Sequence, residues 1–404
     1  MLQLQFTTWR LKESWITVDM ISFLLKKLIL FYKFFKIDTP LLILLVLLSS
    51  LGLLILYSSS GGSLNLVYRQ MIHLGLATSV MLVIAQIPPI IMLRASPILM
   101  ILGVFLLILV LFFGSSGGGA QRWLDVGLVR FQPSELMKII VPMTIAAILS
   151  EKTLPPRAFP VIISLVTIGT VVLLIARQPD LGTSLLIGAS GVYVLFFSGF
   201  RVMLVKNIWL NLVILTSTLA GLLYFAWNYL LIAYQKRRIL TLFNPESDPL
   251  GSGYHIIQSK IAIGSGGFTG KGIVRGSQSQ LDFVPEQSTD FIFSVLAEEL
   301  GFMGFILLVI IYALIIYRCM SLSLRCEDNF SRLLGASLTF VFFTYIFVNI
   351  GMVSGLLPVV GVPLPLISYG GSSLITLMAS FGIIMSIHKH KSLRYLQYLV
   401  IINL

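Results

Sequence analysis

VPEQSTDFIFSVLAEELGFMGFILLVIIYALIIY (residues 284–317) decides how this chain folds, because its second part is long and apolar enough to form a membrane-spanning helix. Three carboxylates, Asp290, Glu298 and Glu299, lie at the beginning of this apolar part. Acidic side chains at a membrane boundary are costly to desolvate and are usually retained for a function. The stretch therefore predicts a transmembrane helix with a functional site at its start.

The remainder of the chain has the composition of a polytopic membrane protein. Of its 404 residues, 57% are hydrophobic and only 11% are charged, and the mean hydropathy is +0.97. Soluble proteins have about 25% charged residues, so a soluble fold is excluded. The apolar segments are continuous rather than alternating, which argues against a β-barrel. We expect an all-α polytopic membrane protein.

Apolar runs of about twenty residues predict about ten transmembrane helices in one membrane domain over residues 1–404. The runs lie near residues 39–57, 70–88, 96–113, 133–150, 160–176, 181–198, 207–227, 291–317, 333–355 and 372–388. Residues 228–290 form the longest break between them, and we expect a long extracytoplasmic loop there. Long loops on a rigid scaffold often carry the chemistry of a protein.

The basic residues predict the orientation of the helices in the membrane. With both termini in the cytoplasm, the cytoplasmic segments hold about 17 of the 28 Lys and Arg residues, as the positive-inside rule requires. The net charge of +12 therefore needs no nucleic-acid partner. Residues 1–37 are basic and amphipathic, which predicts a segment lying on the inner leaflet. Cys319 and Cys326 match no metal-binding spacing and are expected to be free thiols.

The outer loop between the third and fourth spans, SSGGGAQRWLDVGLVRFQPSELMK (residues 115–138), contains a first cluster of candidate site residues. Arg122 and Trp123 fit a snorkelling arginine beside an interfacial tryptophan, or part of a binding site. Glu135 and Lys138 share one face of the fourth helix. A helix-dipole role explains Glu135, but Lys138 lies within the span and needs a partner or an anionic ligand.

Three other stretches carry candidate site residues. Asp180, in the break Arg177-Gln178-Pro179-Asp180, can cap the sixth helix, order a buried polar network or bind a cation. Lys271 lies in the glycine-dense run IAIGSGGFTGKGIVRGS (residues 261–277), which can cradle a phosphate but lacks the P-loop spacing. Ser368 lies in PVVGVPLPLISYGGSS (residues 358–373), whose prolines and glycines predict an irregular segment that lines a cavity.

Asp290, Ser294 and Glu298 recur at every fourth position, which predicts one helical face. A helix cap with acids at the interface is one reading of this pattern. The other is a site for an anionic substrate, in which Asp290 is a general base, because basic and glycine-rich residues lie nearby. All the unusual polar groups are expected in the outer half of the membrane. That position suits a substrate with a lipid tail and an anionic head group.

These pieces together resemble the SEDS family of bacterial cell-wall proteins over nearly the whole chain. The matching pieces are GAQRWLDVGLVRFQPSELMK, RQPDLGTSLL, YQKRRILTLFNPESDPLGSGYHIIQSKIAIGSGG, VPEQSTDFIFSVLAEELGFMG and PLPLISYGGSS. The pieces PESDPLG and GYHIIQSKIAIGSGG look more like RodA, the elongation member, than FtsW, the division member. The departures are Phe-Thr in GGFTGKG, Gln-Ser before Thr289, and an N-terminal extension.

The resemblance implies a peptidoglycan glycosyltransferase of the hexosyl-transfer type. It would polymerise lipid II into β-1,4 glycan strands at the outer face of the bacterial inner membrane during cell elongation. The implied partners are a class B penicillin-binding protein transpeptidase and the elongation machinery. Asp290 matches the essential acid of the family, while Trp123, Glu135, Lys138 and Asp180 match positions associated with its cavity. We add as candidate substrate-binding residues Arg122, Lys271, Glu298 and Ser368.

The chemistry of this transfer agrees with the residues. Turning an α-linked pyrophosphate into a β-1,4 bond requires inversion, for which one carboxylate can take the proton of the attacking hydroxyl. Positive groups must offset the charge of the leaving pyrophosphate; Lys138, Arg122 and the loop bases are candidates, and Mg²⁺ or Mn²⁺ can assist, with no metal ligand assigned. Two other function classes stay open: a flippase for lipid II, which would need polar groups through the full bilayer depth, and a non-catalytic scaffold, which would tolerate replacement of Asp290.

Overall fold

The computed structural model describes residues 37–402, with gaps at 118–119, 127–128, 151–153, 201–207, 249–250, 282 and 284–285. Within these residues, nine helices are long and apolar enough to cross a membrane, and Leu181–Phe197 is a shorter apolar helix. The prediction of an all-α polytopic membrane protein with about ten apolar helices is confirmed. The basic segment predicted over residues 1–37 lies outside the described residues, except for Ile37.

The helices follow the predicted order. The first seven are α1 (Thr39–Ser59), α2 (Leu64–Ile84), α3 (Pro89–Phe113), α4 (Pro133–Ser150), α5 (Ala158–Ala176), α6 (Leu181–Phe197) and α7 (Ile208–Phe225). After a π-helical turn come α8 (Ala233–Phe243), α9 (Ser252–Ser265), α10 (Ser277–Gln280), α11 (Ile292–Leu324), α12 (Asn329–Val353) and α13 (Ser372–Ile402). Helices α2 and α3 begin well before their predicted starts near residues 70 and 96, at Leu64 and Pro89.

Aspartates fix where three of the helices begin. The carboxylates of Asp38, Asp180 and Asp328 accept hydrogen bonds from the main-chain nitrogens of Leu41, Thr183 and Ser331 at 3.0, 3.2 and 2.9 Å. Each bond satisfies an N–H group that has no partner inside the first turn of its helix. The capping role considered for Asp180 is therefore confirmed, and it places this carboxylate at the outer end of α6.

The centre of the bundle is formed by α4, α12 and α13, which are the most buried of the spanning helices. Helix α12 packs against α4, α6 and α11, and α13 packs along α2. Polar side chains join the helices inside the bilayer, where no water competes for their hydrogen bonds. Ser337 donates from Oγ to the carbonyl oxygen of Ser190 at 2.7 Å. The hydroxyl of Tyr312 donates to the carbonyl oxygen of Pro365 at 2.8 Å. By contrast, α7 is almost entirely exposed and lies at the periphery.

The outer loop between α3 and α4 contains a small antiparallel sheet, which the all-α prediction missed. Strands β1 (Ser115–Gly117), β2 (Ala120–Val126) and β3 (Val129–Phe131) pair in that order, with Asp125 opposite Arg130. Two of the strands have only three residues. Strands this short show too little alternation of polar and apolar residues to be recognised in a sequence.

The long break over residues 228–290 is also more ordered than the predicted loop. It contains α8, α9 and the short α10, and α9 packs on the outer ends of α11 and α12. Helix α8 turns Gln235 and Thr241 towards the protein, while Ile232, Leu240 and Phe243 are exposed. A polar inner face and an apolar outer face indicate a helix that borders both a polar cavity and the membrane surface.

Helix α11 is divided at Gly301, whose dihedral angles of φ 63° and ψ −159° interrupt the helix. The main chain of Gly270 lies where a Cβ atom of residue 301 would be, so only glycine fits. The part before Gly301 is buried against the glycine-rich loop, and the part after it spans the membrane. Because Asp290 precedes the helix in a turn, the prediction that it shares one helical face with Ser294 and Glu298 is wrong.

Candidate active site

Asp290 lies in a tight turn that immediately precedes α11. The carbonyl oxygen of Glu286 accepts hydrogen bonds from the main-chain nitrogens of Thr289 at 3.0 Å and Phe291 at 3.3 Å. The Thr289 hydroxyl donates to the Glu286 carboxylate at 2.8 Å. Glu286 has a positive φ of 53°, an uncommon conformation for a residue with a side chain. The turn is thus closed on itself and presents Asp290 at its end.

Ser368 holds this turn against the irregular segment 358–371. Its hydroxyl donates to the carbonyl oxygen of Thr289 at 2.6 Å and accepts from the nitrogen of Leu364 at 2.8 Å. The nitrogen of Tyr369 donates to the carbonyl oxygen of Ser288 at 2.8 Å. The predicted irregular segment is therefore confirmed. Ser368 is buried and its hydroxyl is used by the main chain, so it is placed to position the turn.

Asp290 faces a cavity of about 580 Å³ formed by α8, α9, the turn before α11 and segment 358–371. The cavity is lined by Tyr234, Arg237, Arg238, Asp248, Gly251, Ser252, His255, Glu286, Asp290, Phe291, Val359 and Gly361. Burial and the neighbouring Glu286 carboxylate raise the pKa of Asp290 to about 6, against the opposite effects of Arg238 and Arg122. Near neutral pH the carboxylate is ionised and still basic enough to accept a proton, as a general base requires.

Two arginines of α8 supply the positive charge of this cavity. Arg237 pairs with Asp248 at 2.8 Å, and Asp248 also accepts from the nitrogen of Ser252 at 3.1 Å. Arg238 donates to the carbonyl oxygen of Val359 at 2.9 Å, and its guanidinium lies 4.5 Å from the centre of the Tyr234 ring. Because these contacts hold its planar fork in place, Arg238 presents a fixed cation to the cavity.

A smaller pocket of about 30 Å³ adjoins the cavity through Tyr234, Arg238 and Val359. Asp180 and Arg122 lie on its wall, with the guanidinium Nε of Arg122 3.4 Å from a carboxylate oxygen of Asp180. Pro179, immediately before Asp180, borders the same pocket. Two guanidinium groups, those of Arg122 and Arg238, therefore face one small space next to Asp290.

Glu135 and Lys138 form a buried ion pair inside the bundle, with 2.6 Å between Lys138 Nζ and Glu135 Oε1. The ammonium group also lies 5.1 Å from the centre of the Tyr345 ring. Gln132 connects this region to the pocket, since its amide donates to Ser134 at 3.0 Å and to Asp180 at 3.4 Å. The pair lines neither cavity. Lys138 thus has the partner that its position in the span requires.

Lys271 and Glu298 lie apart from Asp290 and contact each other. Lys271 Nζ is 2.7 Å from Glu298 Oε1, and this carboxylate also accepts from the main-chain nitrogens of Gln278 at 3.0 Å and Ser279 at 3.2 Å. Glu298 is fully buried. These contacts fasten the glycine-rich loop to α11, and neither residue lines the large cavity or the small pocket described above. Trp123, on β2 beside Arg122, is half-buried and is likewise absent from both linings.

Several residues of the cavity were not singled out from the sequence, among them His255 and Glu286, and Arg238 was included only among the loop bases. Arg238 stands four positions after Tyr234, a spacing that puts both on one helical face and could have indicated their contact. His255 and Glu286 come from α9 and from the turn before α11, which are distant in sequence.

Among the described residues, no group of three His, Cys, Asp or Glu side chains is close enough to hold a metal ion. Mg²⁺ needs only one or two carboxylates when substrate phosphates complete its shell, and Glu286 offers one carboxylate on the cavity.

Comparison with known proteins gives a consistent picture. Residues 38–393 match the family model of FtsW, RodA and SpoVE, described as cell cycle proteins. Peptidoglycan glycosyltransferase MrdB of Escherichia coli (strain K12) is 48% identical over 357 residues, which are 88% of this chain and 95% of that protein. Stage V sporulation protein E of Bacillus subtilis (strain 168) is 33% identical over 367 residues, covering 87% of this chain and 97% of its own length.

Solved structures share the fold. A chain from a peptidoglycan synthase complex, reported for the coordination of polymerization and crosslinking, superposes with a TM-score of 0.74 at 32% identity, over 88% of this chain and 98% of that chain. The rod shape determining protein RodA of Thermus thermophilus superposes with a TM-score of 0.66 at 28% identity, over 88% of this chain and 97% of that chain.

Proposed function

This chain belongs to the FtsW, RodA and SpoVE family of cell cycle proteins and is a peptidoglycan glycosyltransferase, and we propose that Asp290 is the general base of its reaction. The observation that carries the proposal is the position of Asp290: a half-buried carboxylate on a large outer cavity, beside two fixed arginines. Its raised pKa of about 6 suits proton transfer near neutral pH.

The substrate that fits this cavity is lipid II, a disaccharide peptide on undecaprenyl pyrophosphate. The 4-hydroxyl of one sugar attacks the anomeric carbon of another, and its proton passes to Asp290. A new C–O bond forms while the C–O bond to pyrophosphate breaks, so undecaprenyl pyrophosphate leaves with both electrons. Attack from the side opposite the leaving group inverts the α-linked carbon into a β-1,4 bond. General-base help of this kind contributes about 10²- to 10⁴-fold.

Arg238 and Arg122 bind the leaving pyrophosphate in this proposal. Both border the small pocket next to the Asp290 cavity, so the pyrophosphate would lie at the mouth of that pocket, where guanidinium groups can match phosphate oxygens in pairs. Stabilisation of charge that develops in the transition state is commonly the largest catalytic contribution. Lys138 and Glu135 act from behind the pocket, through Gln132 and Asp180, and preserve its shape. A bound Mg²⁺ or Mn²⁺, held by Glu286 and the phosphates, would add positive charge there.

Glu298, Lys271, Trp123 and Ser368 have other roles in this proposal. Glu298 and Lys271 anchor the glycine-rich loop, Ser368 positions the turn of Asp290, and Trp123 lies beside Arg122 on β2. In this proposal these residues therefore act on the site indirectly, and do not make the substrate contacts expected from the sequence. Asp290, Arg122 and Asp180 keep direct places at the cavities.

The protein is a multi-pass membrane protein. We place it in the bacterial inner membrane as one membrane domain with both termini in the cytoplasm, because this orientation puts most basic residues inside. The cavity then faces outward, where lipid II is polymerised during cell elongation. A class B penicillin-binding protein and the elongation machinery are its expected partners, and the similarity to a chain of a peptidoglycan synthase complex supports them.

A gel assay with labelled lipid II tests the proposal. Wild-type protein and Asp290→Asn are purified and assayed with and without the cognate transpeptidase. Asp125→Asn is the matched control, because it removes one outer carboxylate that lines neither cavity. We expect polymer from wild type and Asp125→Asn, and at least about 100-fold less from Asp290→Asn. Polymer at the wild-type rate from Asp290→Asn would refute the general base. Lipid II transfer across vesicles without polymer from wild type would favour the flippase.

A further inference from the structure

His255 is a polar cavity residue to which the reaction described above assigns no role. It lies on α9, and its ring stacks on the ring of Phe291, the residue after Asp290, with 5.3 Å between the centroids and 26° between the planes. The side chain lines the same cavity as Asp290 and Glu286. Elements distant in sequence thus bring an imidazole into the cavity that Asp290 lines.

The surroundings of the ring determine its tautomer. Nδ1 is buried and finds no hydrogen-bond partner among the described residues. A buried N–H group without a partner is rarer than a buried acceptor without one. A proton on Nδ1 would be such an orphan donor, whereas a proton on Nε2 leaves only a lone pair at Nδ1. Nε2 therefore carries the proton and is the nitrogen that can donate into the cavity.

The electrostatics of the cavity favour the neutral form of the ring. Burial lowers the pKa of His255 and Arg238 adds to the lowering, while the carboxylates of Glu286 and Asp248 oppose it. A neutral ring adds no positive charge to the anion-binding arginines. What it offers is a single directed N–H group beside the base.

We propose that His255 is a substrate-binding residue that donates a hydrogen bond from Nε2 to an oxygen of the acceptor sugar, and so orients the attacking hydroxyl towards Asp290. The proposal rests on the proposed function, since it assumes that the acceptor occupies the larger cavity. The arginine-lined pocket is left for the pyrophosphate of the donor sugar. Removing one hydrogen bond to a neutral group costs about 0.5–1.5 kcal/mol, which corresponds to a loss of about 2- to 13-fold in rate at limiting substrate.

Three substitutions separate donation from stacking. His255→Phe keeps an aromatic ring on Phe291 but has no donor. His255→Gln reaches the position of Nε2 with an amide N–H, and His255→Asn reaches only the position of Nδ1. We expect polymerisation at limiting lipid II to be about 2- to 13-fold slower for the Phe and Asn variants, and the Gln variant to be faster than both. Thermal unfolding in detergent checks that each variant is folded.

The dependence of the rate on pH supplies a second readout. In His255→Phe, the acidic limb of the pH profile should stay at the same pH as in wild type, because Asp290 sets this limb and the lost donor is neutral. Wild-type activity of His255→Phe would overturn the proposal, since stacking alone would then suffice. Equal impairment of the Gln and Phe variants would also overturn it. Disappearance of the acidic limb in His255→Phe would show that the imidazole, and not a carboxylate, titrates. Asp290→Asn is assayed in parallel, so that failure of the general base is recognised separately.

Discussion

The side chain of Asn349 binds the main chain of Asp290. Its amide nitrogen donates to the carbonyl oxygen of Asp290 at 2.9 Å and to that of Val362 at 2.7 Å. Asn349 is fully buried near the outer end of α12. One side chain of the central helix thus joins the turn of Asp290 to the irregular segment 358–371. The position of the Asp290 carboxylate therefore depends on the core of the bundle.

Substitution of Asn349 by Ala should impair both stability and catalysis. Two buried carbonyl oxygens lose their donor, at about 1–3 kcal/mol each, and the turn of Asp290 is free to move. We expect a lower thermal unfolding temperature and a fall of kcat by at least about tenfold, because misplacement of a reacting group by about 1 Å can cost 10²-fold. Tyr312→Phe is the control, since it removes one buried bond to Pro365 of the same segment. A variant with reduced stability but wild-type kcat would contradict this link.

Polymerisation should depend on the ionisation of Asp290. Its pKa is raised to about 6, so the base form is lost as the pH falls below that value. We expect the rate to rise between about pH 5 and 7 with a midpoint near 6, measured with lipid II at limiting concentration. A rate that is constant from pH 5 to 7 would refute the assignment.

The raised pKa of Asp290 also predicts how the stability of the folded protein depends on pH. Because folding raises the pKa of this carboxyl, the folded protein binds the proton more tightly than the unfolded chain does. The contribution of Asp290 to stability therefore decreases as the pH rises from about 4 to above 6. Asp290→Asn should unfold at a higher temperature than wild type at pH 7.5, and the difference should be smaller at pH 4.5. An equal difference at both pH values would contradict the raised pKa.

Removal of the Arg238 guanidinium should weaken charge stabilisation and shift the pH profile. A hydrogen bond to a charged group is worth about 1.5–3 kcal/mol, so Arg238→Ala should polymerise at least about tenfold more slowly. The acidic limb should move to higher pH, because Arg238 favours the ionised form of Asp290. Lys236→Ala is the matched control: it removes one charge from the same helix, on a side chain that contacts Trp227. An unchanged limb in Arg238→Ala would show that this arginine does not act on the base.

Glu298→Gln should affect stability more than substrate binding. The substitution breaks a buried ion pair with Lys271, which costs about 3–5 kcal/mol when both charges are buried. The loss should be smaller here, about 2 kcal/mol, because the Lys271 side chain is 28% exposed and can be hydrated. Thermal unfolding measures this loss, and the KM for lipid II should stay within about twofold of wild type. A stable variant with a strongly raised KM would restore Glu298 and Lys271 as substrate contacts.

Much of the fold could be predicted from the chain because its signals are local. Apolar runs long enough to span a membrane set the helices, and aspartates at positions 38, 180 and 328 set where three of them begin. The kink at Gly301 was hidden, since the apolar run continues through it and the break is imposed by the contact with Gly270. The small sheet was missed because its strands are too short to carry a periodic pattern.

By itself, the sequence determined the class of protein and the family, since both follow from composition or from motifs in order along the chain, and it indicated Asp290 as the candidate base. Only the tertiary structure separated Asp290 from Glu298, because the pattern of residues 290, 294 and 298 had suggested a single helical face. It also placed Arg238, Glu286 and His255 on the same cavity as Asp290. A cavity is formed by side chains from distant segments, and the packing that brings α8, α9 and the turn before α11 together leaves no periodic pattern in any one of them.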